Sequence, residues 1–244
     1  MELQRRREIR ARALAGDGVG ARAVGFMLRR LEDGTLRVPQ GRGAGLLFDR
    51  QRLGPAAAAP PGPPTILFVG RLTPHKRQDL LIRTFAEYRR LEPDARLVLV
   101  GTPLSPSFGN WLRELAAELA PGAVTFESGL SAAQLADRYR GAHAFLCLSE
   151  HEGFCIPLLE AFHFGVPVIA RDAGAVGEVV ADAGVLLEAD DDATTIANLL
   201  QIVVGDSELR AELQGRGERR LEVFDWRMTA DRLRRTLTNL APRE

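Results

Sequence analysis

Two glutamates in an otherwise apolar stretch are the residues best suited to bind a polar ligand. The stretch SEHEGFCIPLLEAFHFGVPVIA, residues 149–170, places Glu152 and Glu160 eight residues apart. Pro157 lies between them and is typical of the first turn of a helix, where its missing N–H costs nothing. Glu152 is therefore predicted in the loop before this helix and Glu160 within its first turn. Carboxylates in these positions can accept hydrogen bonds from sugar hydroxyls.

The loop between the two glutamates also supplies backbone donors. The N–H groups of Gly153, Phe154 and Cys155 stand at the predicted helix entrance, where free amides can hold a phosphate. For Glu160 alone, an alternative is an acidic residue that is favoured near a helix N-terminus by the helix dipole. Two carboxylates around free amides favour a ligand that has both hydroxyls and phosphates, as a nucleotide sugar has.

A second loop carries two cations. In FVGRLTPHKRQDLL, residues 68–81, Gly70 follows an apolar run, and Arg71 and Lys76 precede a helical pattern. The glycine permits a tight exit from a strand, and two cations at a helix N-terminus can bind a diphosphate. Lys76 is the only lysine in the chain. The alternative for this loop alone is that both cations are solvated surface charges.

Short apolar runs alternate with segments of helical period, which is typical of a doubly wound α/β domain with a parallel sheet. The predicted strands are 65–70, 95–101, 123–128, 143–149, 166–170 and 184–188. The predicted helices are 79–91, 110–119, 131–140, 157–164, 174–181, 192–203, 206–221 and 226–240. In such a Rossmann-like sheet, ligands bind at the carboxyl ends of the strands. Both loops described above follow predicted strands.

Three parts of the chain are distinguished by composition. Residues 1–53 are Arg-rich and show amphipathic helical or irregular patterns without strand–helix alternation. Residues 54–64, GPAAAAPPGPP, are a proline- and alanine-rich linker. Residues 65–244 are predicted to form the α/β domain, closed by a C-terminal helix.

Charge and composition exclude several classes of protein. The formal net charge is zero, although residues 1–60 hold 12 Arg against 6 acidic residues. The total charge therefore implies no nucleic-acid partner, and peripheral membrane contact of the Arg-rich segment is a minority alternative. There is no apolar run of about 20 residues and no secretory signal, so a cytoplasmic location is expected. Two cysteines, Cys147 and Cys155, are too few for a disulfide or zinc framework, and no metal is expected.

The motifs resemble those of a known enzyme family. ILFVGRLTPHKRQDLLIRTF, LVLVG and SEHEGFCIPLLEAFHFGVPVIARDAGAVGEVV are similar to the C-terminal, donor-binding half of glycosyltransferase family 4. Members of that family are retaining nucleotide-sugar transferases of the GT-B fold, and the spacing from Glu152 to Glu160 matches their E-x7-E motif. The resemblance covers about residues 65–240.

The resemblance implies a role for each candidate residue in hexosyl transfer from a nucleoside-diphosphate sugar to a hydroxyl acceptor. Arg71 and Lys76 would hold the diphosphate in place of a metal ion, Glu152 would bind the transferred sugar, and Glu160 would bind the ribose hydroxyls. The remaining predicted contacts to the donor come from Gly70, Gly153, Phe154, Cys155 and, against the base, Leu130. Cys155 departs from the family, in which many members have glycine at this position.

The acceptor site is expected elsewhere. GT-B enzymes form it with an N-terminal Rossmann domain, and residues 1–60 are too few for one. Such a domain, in cis or in trans, and a glycan or glycolipid acceptor are therefore expected partners. Two other functions stay open. A sugar-nucleotide epimerase would need a further acid/base pair, and a non-catalytic nucleotide-sugar-binding module would need no acceptor domain.

Overall fold

The computed structural model of the protein describes residues 61–224, in which strands and helices alternate. The strands are β1 (Thr65–Val69), β2 (Arg96–Val100), β3 (Val124–Glu127), β4 (Ala144–Cys147), β5 (Val168–Arg171) and β6 (Gly184–Leu187). The helices are α1 (Gln78–Leu91), α2 (Pro106–Leu119), α3 (Ala132–Arg140), α4 (Ile156–His163), α5 (Val176–Val180), α6 (Ala193–Gly205) and α7 (Ser207–Val223). Within these residues, no helix is long and apolar enough to cross a membrane.

The six strands form one parallel sheet in the order β3-β2-β1-β4-β5-β6. The central strand β1 pairs with β2, with Thr65 opposite Arg96, and with β4, with Ile66 opposite Ala144. The chain therefore builds outward from β1 to β3 and then returns to build outward from β4 on the other side. The predicted doubly wound fold is confirmed. At this reversal, the loops after β1 and β4 leave the sheet in opposite directions and open a crevice.

Each face of the sheet is covered by its own hydrophobic core. Successive side chains of a strand point to opposite faces, so Ile66 and Phe68 join the core beneath α1, α2 and α6, whereas Leu67 joins the core beneath α3, α4 and α5. All four residues of β4 are buried. Burial on both faces explains why the strands are continuous apolar runs and gives the loops at their carboxyl ends a rigid base.

The bounds of the helices differ from the sequence prediction by one or two residues, except at the start of α2, where the difference is larger. Helix α2 begins at Pro106, four residues before the predicted start, because the Ser105 side chain accepts a hydrogen bond from the Phe108 N–H and caps the helix. Helix α5 is shorter than predicted. The N-terminal segment 1–53, most of the linker and the predicted helix 226–240 lie outside the described residues.

Candidate functional site

The loops after β1 and β4 are joined directly at the crevice. After β1 the chain forms one 3-10 turn, Pro74–Lys76, before α1. The carbonyl of His75 in this turn accepts a hydrogen bond from the Glu150 N–H at 2.8 Å, and the Arg77 guanidinium bonds the Glu150 carboxylate at 2.7 Å. These contacts fix the relative position of two loops that are more than 70 residues apart in sequence.

An ion pair between Lys76 and Glu152 lies at the centre of this junction. The Lys76 ammonium donates to Oε1 of Glu152, and the Ser149 hydroxyl donates to the same oxygen at 2.7 Å. Glu152 is only 6% exposed and Lys76 19%. A carboxylate buried to this degree needs a charged or hydrogen-bonding partner, and loss of one member of a buried pair is strongly destabilising. The predicted cation and the predicted carboxylate are thus brought together.

Arg71 and Gly70, the other two predicted residues of the β1 loop, differ in whether their polar groups are free to bind a ligand. Arg71 is exposed beside the crevice, where a diphosphate could reach its guanidinium. Gly70 donates its N–H to the Val100 carbonyl at 2.9 Å, so this amide is not free to bind a ligand.

Gly101, directly after β2, is a residue of this region that the sequence patterns did not identify. A Cβ atom at this position would lie 1.9 Å from the Gly70 carbonyl oxygen. Only glycine permits this approach of the β1 and β2 loops.

The segment after Glu152 presents backbone amides at the entrance of α4. Within residues 61–224, none of the amides of Gly153, Phe154 and Cys155 donates to a backbone carbonyl. Cys155 is the N-cap of α4 and has a left-handed backbone with φ of 56°, as Arg77 has in the β1 loop with φ of 52°. Such conformations cost roughly 1–3 kcal/mol each in non-glycine residues and are concentrated at functional sites. Both loops of the crevice therefore contain a strained residue.

Glu160 is held by a residue that the sequence analysis missed. Tyr139 of α3 is fully buried and stacks on Phe164, and its hydroxyl donates to Oε2 of Glu160 at 2.7 Å. Burial raises the pKa of Glu160, and the hydrogen bond from Tyr139 opposes this rise. The pKa of Tyr139 is raised, mainly because its side chain is buried.

The predicted place of Glu160 in the first turn of its helix was wrong. Helix α4 begins at Ile156, and its first turn contains no acidic residue. Glu160 lies one turn further along, where the dipole of the helix start has little effect. Its position is therefore explained by the contact with Tyr139 and not by the helix dipole.

Leu130 and Phe154, the two apolar candidates, are both half-buried. Leu130 is half-buried in the loop between β3 and α3 and packs against the core that contains Tyr139. Phe154 is half-buried and meets the ring of Phe224 edge-on, with ring centroids 5.5 Å apart. Contact of Leu130 with a base stays a prediction.

A third loop, between β5 and α5, is hydrogen-bonded to the backbone of Glu152. The Ala175 N–H donates to the Glu152 carbonyl at 3.0 Å. At Gly174, with φ of 64°, a Cβ atom would lie 2.3 Å from the same carbonyl oxygen. A residue with a side chain would be both strained and obstructed here. The signal that could have revealed this position is the glycine of RDAGAVGEV at the end of an apolar run.

Both cysteines of the chain also lie beside Glu152. Cys147 is the last residue of β4, Cys155 precedes α4, and neither forms a disulfide. The interaction between the two thiols lowers the pKa of Cys147 and, together with burial, raises the pKa of Cys155. From the sequence, Cys155 was predicted to contact the donor through its backbone, and a disulfide or zinc framework was excluded because two cysteines are too few. The spacing of Cys147 and Cys155 did not predict that their thiols lie close together.

The crevice thus combines cations, carboxylates and backbone amides at the reversal point of a parallel sheet. In a Rossmann-like fold, groups of these kinds at the carboxyl ends of the strands are suited to a ligand with both phosphate and hydroxyl groups. Comparison with known families agrees: residues 49–220 match the family described as Glycosyl transferases group 1. The chain belongs to this family, which confirms the predicted relation to glycosyltransferases at the level of the family.

Curated relatives carry the name of a specific transferase. The D-inositol 3-phosphate glycosyltransferase of Stackebrandtia nassauensis is 37% identical over 175 residues, an alignment that covers 68% of this chain and 39% of the relative. The chain thus spans about two fifths of the length of that protein.

Two solved structures have similar folds. The C-terminal domain of a glycosyl transferase group 1 family protein (LpcC) from Francisella tularensis is 26% identical, with a TM-score of 0.63 over 72% of this chain and 96% of that domain. HepE from Anabaena, solved in complex with UDP-glucose, is 22% identical, with a TM-score of 0.65 over 73% of this chain and 50% of HepE. At this identity, the likeness to HepE shows the fold alone.

Proposed function

We propose that residues 61–224 are the donor-binding domain of a retaining family 4 glycosyltransferase, which transfers a hexose from a nucleoside-diphosphate sugar to a hydroxyl acceptor. The observation that carries this proposal is the Lys76–Glu152 ion pair at the reversal point of the sheet. The pair places a cation and a carboxylate at the crevice, with Glu160 one helix turn beyond the loop amides.

The diphosphate of the donor is assigned to Lys76, Arg71 and the loop amides. Lys76 is fixed by Glu152 and is still 19% exposed, so part of its ammonium can reach a ligand. Arg71 is exposed on the same loop and can bind two phosphate oxygens at once. Together they would neutralise the charge that develops on the departing nucleoside diphosphate. No metal ion is needed for this step.

The hydroxyl groups of the donor are assigned to the two carboxylates. Glu152 lies in the same loop as the amides of Gly153, Phe154 and Cys155 and would accept hydrogen bonds from the transferred sugar. Glu160 would accept hydrogen bonds from the ribose, with its other oxygen held by Tyr139. A carboxylate that is already oriented loses less side-chain entropy when the ligand binds.

The acceptor would be a hydroxyl of a glycan or glycolipid, held by a second domain across the crevice. HepE binds UDP-glucose, and the curated relatives are named for an inositol phosphate acceptor. These names support a sugar nucleotide as donor and a hydroxyl as acceptor. The second domain would lie in the same polypeptide or in a partner.

Binding of the donor tests the proposal directly. We expect calorimetry of the full chain with a panel of nucleoside diphosphates and their sugars, in the presence of a chelator, to detect at least one ligand. Arg71→Ala should weaken its binding, whereas Arg83→Ala, which removes an exposed arginine of α1, should not. Strict dependence on Mg²⁺ or Mn²⁺ would contradict the assignment of Arg71 and Lys76, and failure of the whole panel would contradict the proposed function.

A further inference from the structure

The two cysteines and Glu152 form a cluster that the proposed transfer reaction does not explain. Within residues 61–224 they are the one group of three His, Cys, Asp or Glu side chains whose ligand atoms could hold a metal ion, and these atoms all lie within 4.8 Å of one another. The Cys147 sulfur is 3.8 Å from Oε1 of Glu152. Cys147 and Glu152 are buried, and Cys155 is half-buried.

We infer that Cys147, Cys155 and Glu152 form a site for a thiophilic divalent cation such as Zn²⁺, and that occupation of this site blocks recognition of the donor sugar. The first part stands on the cluster alone. The second part rests on the proposed role of Glu152.

The dimensions of the cluster fit a tetrahedral metal site with one open position. Zn–S bonds of about 2.3 Å and Zn–O bonds of about 2.0–2.2 Å place a sulfur and an oxygen ligand about 3.5–3.7 Å apart and two sulfur ligands about 3.8 Å apart. The Cys147–Glu152 distance of 3.8 Å is close to the first value, and the upper limit of 4.8 Å for the other pairs requires only small side-chain movements. Two sulfur ligands and one oxygen ligand favour Zn²⁺ over Mg²⁺ or Ca²⁺.

The backbone at Cys155 has a conformation that places its thiol beside that of Cys147. Its φ of 56° and ψ of 64° are a conformation that favours glycine. A residue with a side chain is strained in this conformation, and the Cys155 sulfur lies within 4.8 Å of the Cys147 sulfur. Cys147 is the last residue of β4. The chain contains only these two cysteines.

The nearby charges allow the cation to bind without leaving excess charge in the buried pocket. Two thiolates and one carboxylate around a divalent ion carry a net charge of −1, as Glu152 alone does when both thiols are protonated. Lys76 beside Glu152 balances that charge in either state. What changes is the carboxylate itself: a metal ion on Oε1, the oxygen nearest Cys147, would compete with the hydrogen bonds from Lys76 and Ser149 to that oxygen and would reorient the group that is proposed to bind the sugar.

Metal binding is tested first with Co²⁺ alone, since a cobalt–thiolate bond gives a near-ultraviolet charge-transfer band. The full chain is kept reduced with a phosphine, and two titratable thiols are verified. We expect the band in the wild-type chain, its displacement by Zn²⁺, and at least about a tenfold loss of affinity in Cys155→Gly and Cys147→Ala. The glycine fits the left-handed backbone, so Cys155→Gly removes the sulfur without disturbing the fold. Glu118→Gln, which removes an exposed carboxylate of α2 far from the cluster in sequence, should bind Co²⁺ as the wild type does.

A second measurement tests the consequence for the donor. With one equivalent of bound Zn²⁺, affinity for the nucleotide sugar should fall to that for the bare nucleoside diphosphate, and Cys147→Ala should abolish this effect. Absence of the cobalt band in the reduced wild-type chain, or its persistence in Cys155→Gly, would overturn the site. A preference for the sugar that survives bound Zn²⁺ would overturn the blocking role. Cobalt binding by a chain that binds no nucleotide would instead contradict the proposed function.

Discussion

Lys76 is one of three consecutive residues that join the two loops of the crevice, and it is proposed to contact the donor as well. Its ammonium bonds the buried carboxylate of Glu152 from a position 76 residues away in sequence. An arginine would present a larger, planar group at the same place. The single lysine of an arginine-rich chain therefore lies where a compact cation can bond a buried carboxylate and still face the crevice.

Replacing Lys76 should separate the binding of phosphate from that of the nucleoside. We expect Lys76→Ala to weaken binding of a nucleoside diphosphate by about tenfold or more, because a hydrogen bond to a charged group contributes roughly 1.5–3 kcal/mol. Binding of the nucleoside itself should change little. Calorimetry with both ligands measures this difference, and Arg83→Ala is the control for loss of one positive charge. Equal losses for the two ligands would show that Lys76 lies away from the phosphates.

The buried carboxylate of Glu160 is proposed to bind the donor in its ionised form, but burial favours its protonated form. Because burial raises the pKa of Glu160 in the folded state, the folded protein favours the protonated form. Its contribution to stability is therefore present at pH values below the unfolded pKa and is lost as the pH rises through the folded pKa. At neutral pH the ionised carboxylate opposes folding, a cost that the Tyr139 hydrogen bond reduces.

We expect Glu160→Gln to raise the free energy of unfolding at pH 7 and to weaken donor binding by about tenfold or more. The amide oxygen can still accept the Tyr139 hydrogen bond, and the variant has no charge to bury. Urea unfolding at pH 7 and at pH 4 should show that the gain in stability shrinks at the lower pH. A gain that is equal at both pH values would contradict the pKa argument.

At the level of elements, the site depends on three loops that follow β1, β4 and β5. The β5 loop contributes no predicted ligand contact, yet it bonds the backbone of Glu152 through Ala175. Its close approach requires Gly174. The geometry of the carboxylate is thus set by a loop that follows the neighbouring strand.

Gly174→Ala should therefore disturb the site as well as the fold. The new Cβ atom would lie 2.3 Å from the Glu152 carbonyl oxygen, so the β5 loop must move and donor binding should fall. Gly122→Ala is a matched control, because Gly122 also has a positive φ of 71° but no atom within 4 Å of the added Cβ. The control should lose about 1 kcal/mol of stability and keep its donor affinity. Equal effects of the two variants on donor affinity would show that the contact with Glu152 is not needed.

At the level of the whole molecule, the proposed function assigns to the described domain only the donor side of the reaction. The chain covers 96% of the solved LpcC C-terminal domain but 39% of its curated relative from Stackebrandtia. Transfer needs donor and acceptor held together, and orientation alone can contribute about 7–11 kcal/mol to lowering the barrier. Donor binding and sugar transfer are therefore expected to be separable properties.

The 244-residue chain should bind donor but transfer sugar slowly, and an N-terminal GT-B domain, added in cis or in trans, should raise the rate. In the restored system, Glu152→Ala and Glu160→Ala should lower the transfer rate. A transfer assay with radiolabelled sugar, with and without the added domain, measures both effects. Rapid transfer by the chain alone would show that residues 1–60 supply an acceptor site, which would contradict the predicted domain organisation.

The sequence by itself was sufficient to predict the order of elements and most of the candidate residues. Strands buried on both faces are apolar runs, and helices repeat every 3.6 residues, so these patterns are local. The loops after β1 and β4 could also be identified locally, because glycine, proline and charged residues interrupt the apolar runs. The start of α2 was missed, although the Ser105–Pro106 signal for a helix start was present.

Only the tertiary structure decided which of these residues meet. The sheet order places β4 beside β1, and this pairing brings Lys76 to Glu152 across 76 residues. The contact of Tyr139 with Glu160 and the proximity of Cys147 to Cys155 arise in the same way, from packing between separate elements. The physical reason is that a single sequence records local preferences for helix, strand and turn, whereas contacts between distant elements are fixed by how their buried faces pack together.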